Sequence, residues 1–231
     1  MGKIYFGCDE LQRGWDDYFK LCNAYELDLE SLDAPPRIST LNRWRVDSPR
    51  GFCFVLHADR RVTRGLTRLS KAGASTLDED VREAWELTVE RAEALAAKAI
   101  LLSTPAEFSP GSNSRQLLEA VAEELVPETK AAVIWESQGL WQLAPTRQLA
   151  RDLGLVYAYD PFIAHREDVP FTHGDTCWIV TERAGLRRKF DQFDMESLTH
   201  WADRYDRAFV LLRGRFKWDH ARELKVAVDQ K

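Results

Sequence analysis

Ala99-Ile100-Leu101-Leu102-Ser103 and Ala131-Ala132-Val133-Ile134-Trp135-Glu136 are short, nearly continuous apolar runs, and their surroundings decide the fold. Before the first lies Asp78–Lys98, rich in Glu, Ala, Leu and Arg, with Val81, Trp85 and Leu95 as apolar anchors. Between the two runs, Ser112–Leu125 places Leu117, Leu118, Val121 and Leu125 on one side. The order is helix, strand, helix, strand. Strands that are apolar on both faces suit a parallel sheet covered by helices.

The same alternation extends outward. Strand-like runs recur at Ile4–Cys8, Glu26–Glu30, Phe52–His57, Leu155–Tyr159, Cys177–Thr181 and Ala208–Leu212, making eight with the two above. Trp15, Phe19 and Cys22 share a helical face. Thr146–Leu153 runs into Gly154, a natural helix stop. Asp194 is placed to cap a helix carrying Trp201 and Tyr205, and a last helix starts near Asp219. Eightfold strand–helix alternation predicts an α/β fold, a TIM-barrel-like (β/α)8 closed parallel barrel, with residues 1–231 as a single domain. Closure predicts that Ile4–Cys8 pairs in parallel with Ala208–Leu212, since an open sheet leaves edges unpaired. The alternative is an open doubly wound sheet. Gly7-Cys8-Asp9-Glu10 after the first strand is not its GxGxxG phosphate loop.

Composition removes several classes. The 231 residues hold 32 Lys plus Arg against 37 Asp plus Glu, a net charge of −5, with 45% hydrophobic residues. That is neither a disordered chain nor a general nucleic-acid coat. No apolar stretch approaches the roughly 20 residues of a spanning helix. The N-terminal segment enters a strand-like run without a signal-peptide pattern, and Phe6 stands where myristoylation needs Ser or Thr. Cys8, Cys22, Cys53 and Cys177 form no CxxC and read as buried thiols. A cytoplasmic protein without membrane contact is the expectation.

Four segments resemble the YecE-like family, a domain of unknown function with TIM-barrel-like structures. Pro35-Pro36-Arg37-Ile38-Ser39-Thr40-Leu41-Asn42-Arg43-Trp44-Arg45 is similar to its Pro-Pro…Thr-Leu-x-x-Trp-Arg segment. Phe52–Ala58 resembles its third strand, and Leu101–Phe108 its L-L-x-x-P-x-x-F strand end. Trp135-Glu136-Ser137-Gln138-Gly139-Leu140-Trp141 resembles W-E-P-R-G-x-W. Departures fall on polar positions. His57 stands for the family's Lys, Thr63-Arg64 for its Thr-His, and Gln138 for its Arg. Glu182-Arg183-Ala184-Gly185 replaces its R-L-H-G, and Leu32-Asp33 its Phe-Tyr. Glu136 is retained. The resemblance implies the scaffold more than any chemistry.

In such barrels the active site lies at the C-terminal strand ends. Alternation puts Cys53, Val55 and His57 on one side of their strand, and Ala132, Ile134 and Glu136 on one side of theirs. Glu136 and His57 are therefore candidate catalytic residues, an acid/base pair. The alternative is a hydrogen-bonded structural cluster. Asp9 or Asp160 would complete a metal site, but no HxH or HExxH occurs, and no metal or cofactor is assigned. Basic residues follow strands three, seven and eight. Arg64, Arg188, Arg213 and Arg215, with Trp141 for stacking, are candidate substrate-binding residues. Gly185 offers close backbone approach between strands seven and eight. Arginine on the ligand face of an acidic protein points to an anionic small molecule or a nucleic acid; the alternative is solvated side chains. The two functional readings are an enzyme acting on a phosphorylated or otherwise anionic substrate, and a non-catalytic nucleic-acid- or protein-binding module.

Overall fold

The computed structural model describes residues 3–11, 14–162, 176–180 and 189–230. Eight strands are present: β1 (Lys3–Cys8), β2 (Ala24–Leu27), β3 (Cys53–His57), β4 (Ala99–Thr104), β5 (Ala132–Ser137), β6 (Val156–Tyr159), β7 (Thr176–Val180) and β8 (Arg207–Leu212). Between and after them, among the described residues, run α1 (Trp15–Leu21), α2 (Ile38–Asp47), α3 (Arg60–Lys71), α4 (Glu79–Leu95), α5 (Ser112–Ala120), α6 (Leu143–Asp152), α7 (Gln192–Ala202) and α8 (Lys217–Asp229). The chain divides into two compact units. One comprises Met1–Leu27, Ser48–Cys53 and Tyr157–Lys231, the other Asp28–Asp47 and Phe54–Val156.

In the first unit β1 pairs in parallel with β8, from Lys3 opposite Arg207 to Cys8 opposite Leu212. β8 pairs in parallel with β7, and β7 with β6. The expected β1–β8 pairing is therefore present. The other edge of β1 departs from a closed ladder. Phe6 N donates to Asn23 Oδ1 at 2.7 Å, Asn23 Nδ2 donates to Ile4 O at 2.9 Å, and Asn23 N donates to Phe6 O at 3.2 Å. Cys8 N donates to Tyr18 Oη at 2.8 Å, and the Tyr18 hydroxyl lies 2.6 Å from Ala24 O. These groups occupy positions where β2 would bond to β1. Buried backbone groups must be paired, and here the Asn23 and Tyr18 side chains pair most of them, with the Asn23 backbone N–H serving Phe6 O. Among the described residues no ladder joins β1 to β2, so the parallel α/β sheet is present and its closure is not shown. The approach is still close. A Cβ on Gly7 would lie 1.8 Å from Ala24 O.

In the second unit β3, β4 and β5 lie side by side in parallel, with His57 opposite Leu101 and Glu136 opposite Ser103. Trp85 of α4 is fully buried and donates its indole N–H to Leu125 O at 2.9 Å. Asp59 starts α3 by accepting from Arg61 N at 3.0 Å. Asp78 starts α4 by accepting from Val81 N at 3.2 Å.

Three element boundaries differ from the sequence reading. β2 ends at Leu27 rather than Glu30, because the Asp28 side chain accepts from Glu30 N and turns residues 29–31 into a 3-10 segment. α7 begins at Gln192, two residues before Asp194. Asp191 is its cap and Asp194 closes a capping box back onto Asp191 N. The last helix, α8, starts at Lys217.

Candidate functional site

The second unit brings the two candidate catalytic residues onto one side of its sheet. His57 is level with Leu101, Leu101 with Ile134, and Ser103 with Glu136. Residues two apart on a strand share a side, so His57, Ser103 and Glu136 all face away from the side that carries Trp135. β4 separates β3 from β5, so the His57 and Glu136 backbones are roughly 10 Å apart across the sheet. Glu136 is 8% exposed and accepts a hydrogen bond from Ser103 Oγ at 3.1 Å. His57 is half-buried at the end of β3. An imidazole, a hydroxyl and a carboxylate at C-terminal strand ends are the group types that move protons.

The opposite side of the same strands is structural. Trp135 donates to Thr104 Oγ1 at 3.0 Å, and its ring meets Trp141 edge-on at 4.9 Å. Trp141 is 9% exposed, stacks on Phe108 at 6.1 Å and donates its indole N–H to Phe108 O. Trp141 thus fills a core cluster rather than offering an open stacking face. Gln138 N donates to Thr104 O at 3.1 Å. Gly139 adopts φ +80°, and a Cβ there would lie 2.9 Å from Ala106 Cα. The Leu101–Phe108 and Trp135–Trp141 motifs are therefore zipped together, and most of their residue choices are packing choices.

The first unit holds a second polar cluster at strand ends. Arg213 follows β8 and grips Glu26 of β2. Arg213 Nε lies 3.0 Å from both Glu26 Oε1 and Oε2, and Nη2 also reaches Oε1. Glu26 is 1% and Arg213 8% exposed. A buried carboxylate stays charged only when paired in this way. Lys217 Nζ is 2.7 Å from Asp9 Oδ1 and 2.7 Å from Glu10 Oε2. The two carboxylates raise the Lys217 ammonium pKa against the opposing effect of burial. Burial, reinforced by Asp9, Glu10 and Glu26, pushes the Tyr25 hydroxyl up.

Arg213 is thus engaged by Glu26. Arg215 is exposed, with its guanidinium 5.5 Å from the Phe216 ring centre. Arg188 and Gly185 lie outside the described residues. Arg64 is exposed on α3 in the second unit. Asp160 accepts from Phe162 N at 2.9 Å. No group of three or more His, Cys, Asp or Glu side chains able to hold a metal stands together among the described residues. No described helix is long and apolar enough to cross a membrane. Sequence reasoning missed Glu26. The available signal was an acid at Glu26 inside the apolar run Ala24–Leu27, which demands a buried cation.

A DUF72 family protein of Thermotoga maritima MSB8 superimposes with a TM-score of 0.72 at 15% identity, covering 98% of this chain and 99% of its own. One from Enterococcus faecalis V583 gives 0.72 at 12% identity, covering 99% and 98%. D-psicose 3-epimerase, in a structure with D-fructose, gives 0.58 at 14% identity, covering 93% and 90%. At these identities the likeness is one of fold, an α/β, TIM-barrel-like architecture. No curated protein matches the sequence. The family described as protein of unknown function DUF72 matches residues 7–218, nearly the whole chain, in keeping with the motifs at Pro35–Arg45, Phe52–Ala58, Leu101–Phe108 and Trp135–Trp141: the chain belongs to the DUF72, or YecE-like, family.

Proposed function

We propose that the protein is an enzyme that transfers protons on a phosphorylated or otherwise anionic substrate at the C-terminal ends of its strands. Glu136 is the acid/base and His57 assists it. Arg64, in the same unit, is the candidate anion contact. The observation that carries this reading is the nearly buried Glu136 carboxylate, held by Ser103 on the same side of the sheet as His57. An enclosed carboxylate whose position is set by a hydrogen bond suits general acid/base work. The epimerase among the structural neighbours supports the reaction class, because epimerising a sugar carbon removes and returns a carbon-bound proton. Glu136→Gln keeps the shape and removes the base. A panel of phosphorylated hydroxy-carbonyl compounds in D2O, followed by NMR, tests the proposal. Wild-type protein should exchange carbon-bound hydrogen in at least one compound, and Glu136→Gln should abolish that exchange. Equal exchange by both proteins would remove Glu136 from the site.

A non-catalytic binding module is the second reading. The positions where the family carries Lys and Arg favour it, since they hold His57 and an exposed Gln138 here. Absence of exchange across the panel, together with saturable binding of an anion, would select it.

A further inference from the structure

We propose that the face of α3 and the segment following β4 form a binding site for a small phosphorylated molecule, held by Arg64 and Lys71. The phosphate class and Arg64 are taken from the preceding reading; the groove and Lys71 are not. Arg64, Arg68 and Lys71 recur at i, i+4 and i+7 and so line one face of α3. With Thr67, Pro105 and Glu107 they border an open groove of about 570 Å³. That volume falls in the range of small-ligand sites.

The charges of this helix make the case. α3 has no acid in its first turn, and its early positions carry Arg60, Arg61 and Arg64. In the first turn Arg60 and Arg61 oppose the helix dipole and call for counter-charges, while Arg68 and Lys71 in the last turn are favoured by it. Arg60 has Asp28 at 2.8 Å and Glu30 at 3.3 Å. Arg61 has Asp59 at 3.2 Å. Arg68 is pinned by Asp78. Among the described residues, Arg64 and Lys71 alone of these cations have no ion pair. The fold has supplied carboxylates to the rest of the row and left the groove-lining pair open. A phosphate dianion can pair with both cations, and the guanidinium fork of Arg64 matches its oxygens.

Glu107 narrows the ligand further. A carboxylate on the groove wall repels a continuous polyanion, which disfavours a nucleic-acid strand. It accepts from a hydroxyl beside the phosphate ester. The ligand class is therefore a hydroxylated phosphate monoester.

The test is a calorimetric titration of the full chain with inorganic phosphate and with glycerol 3-phosphate at constant ionic strength. Amide NMR shifts at Thr67 and Lys71 report the place. Saturable binding is expected, with glycerol 3-phosphate the tighter. Arg64→Gln with Lys71→Gln should weaken both by about tenfold or more, as expected for two charge-assisted contacts. Both positions are exposed, so the fold is kept, and an unchanged melting temperature checks this. Glu107→Gln should remove the preference for glycerol 3-phosphate. Binding is read without turnover, so saturable phosphate binding by a protein that exchanges no carbon-bound hydrogen would keep this site and remove only the proton-transfer reading. No saturable binding at millimolar concentration, equal binding by the double variant, or a short single-stranded oligonucleotide displacing phosphate with higher affinity would each overturn the proposal.

Discussion

Glu26 in the first unit and Glu136 in the second are both nearly buried strand carboxylates, yet they are held differently. Glu26 is forked by the Arg213 guanidinium, which reaches both of its oxygens. Glu136 receives a hydroxyl bond from Ser103, its register partner on the adjoining strand. An ion pair of the first kind locks both charges, since neither can be neutralised without stranding the other. A hydroxyl is uncharged and can donate to a carboxylate or accept from a carboxylic acid. The guanidinium fork therefore marks Glu26 as architectural, which burial alone does not do.

The largest effect that would sharpen this contrast is removal of Arg213. Arg213→Ala should cost about 3–5 kcal/mol in urea unfolding, because Glu26 would remain as an uncompensated buried charge. Adding Glu26→Leu to it should recover much of that loss. A cost near zero for Arg213→Ala would show that the pair is not the lock described above.

Next is the close approach beside the pair. Gly7→Ala places a carbon 1.8 Å from Ala24 O, so β1 and β2 must separate. We expect a loss of about 3 kcal/mol or failure to fold. Gly111→Ala, whose added carbon meets nothing within 4 Å, serves as the comparison.

Ser103→Ala removes one hydrogen bond from Glu136 and should cost about 1 kcal/mol, well below Arg213→Ala. Equal losses from the two changes would erase the distinction between the carboxylates.

The smallest effect separates the units by pH. In the first unit His220 is fully buried, accepts from Phe190 N at 2.9 Å and stacks on Phe190 at 4.1 Å. Burial lowers its pKa below the ordinary 6.5, outweighing Glu223, Asp219 and Asp194, which act the other way. The unfolded chain then binds the proton first. Stability is complete above about pH 6.5 and declines as pH falls toward the depressed folded value. In the second unit burial raises the Asp59 pKa, but bonds from Arg61 and the charges of Arg61 and Arg91 outweigh it and bring it below 3.8. Its contribution persists until pH falls below that range. Hydrogen exchange should therefore show the first unit loosening at mildly acidic pH while α3 stays protected. His220→Gln should flatten the first response. Simultaneous loosening of both would refute the assignment.

Much of the scaffold was legible because it is written in local pattern. Ala99–Ser103 and Ala131–Glu136 are too apolar for anything but covered strands, and the charged, Ala-rich segment ahead of them has helical periodicity throughout. The alternation of β3 and β5 also placed His57 and Glu136 on one side correctly, because strand period needs no tertiary information. Short polar side chains that redirect the backbone were harder to weigh. Asp28 ended β2 early, and Asp191 rather than Asp194 capped α7, each through one side-chain bond that competes with regular structure.

What the sequence determined by itself, then, was the parallel α/β scaffold, the β1–β8 pairing and the family motifs. These follow from periodicity and local composition, which act over a few residues. Only the tertiary structure decided the fate of the polar residues. Arg213 met Glu26, Trp141 closed over Trp135 and Phe108, Asn23 and Tyr18 took the place of a ladder beside β1, and Arg64 was left, among the described residues, without an ion pair in its groove. Each outcome joins residues far apart in sequence, or depends on which counter-charge arrives first. Electrostatic and hydrogen-bond energies are set by distance and burial, and neither is encoded in the order of residues along one strand.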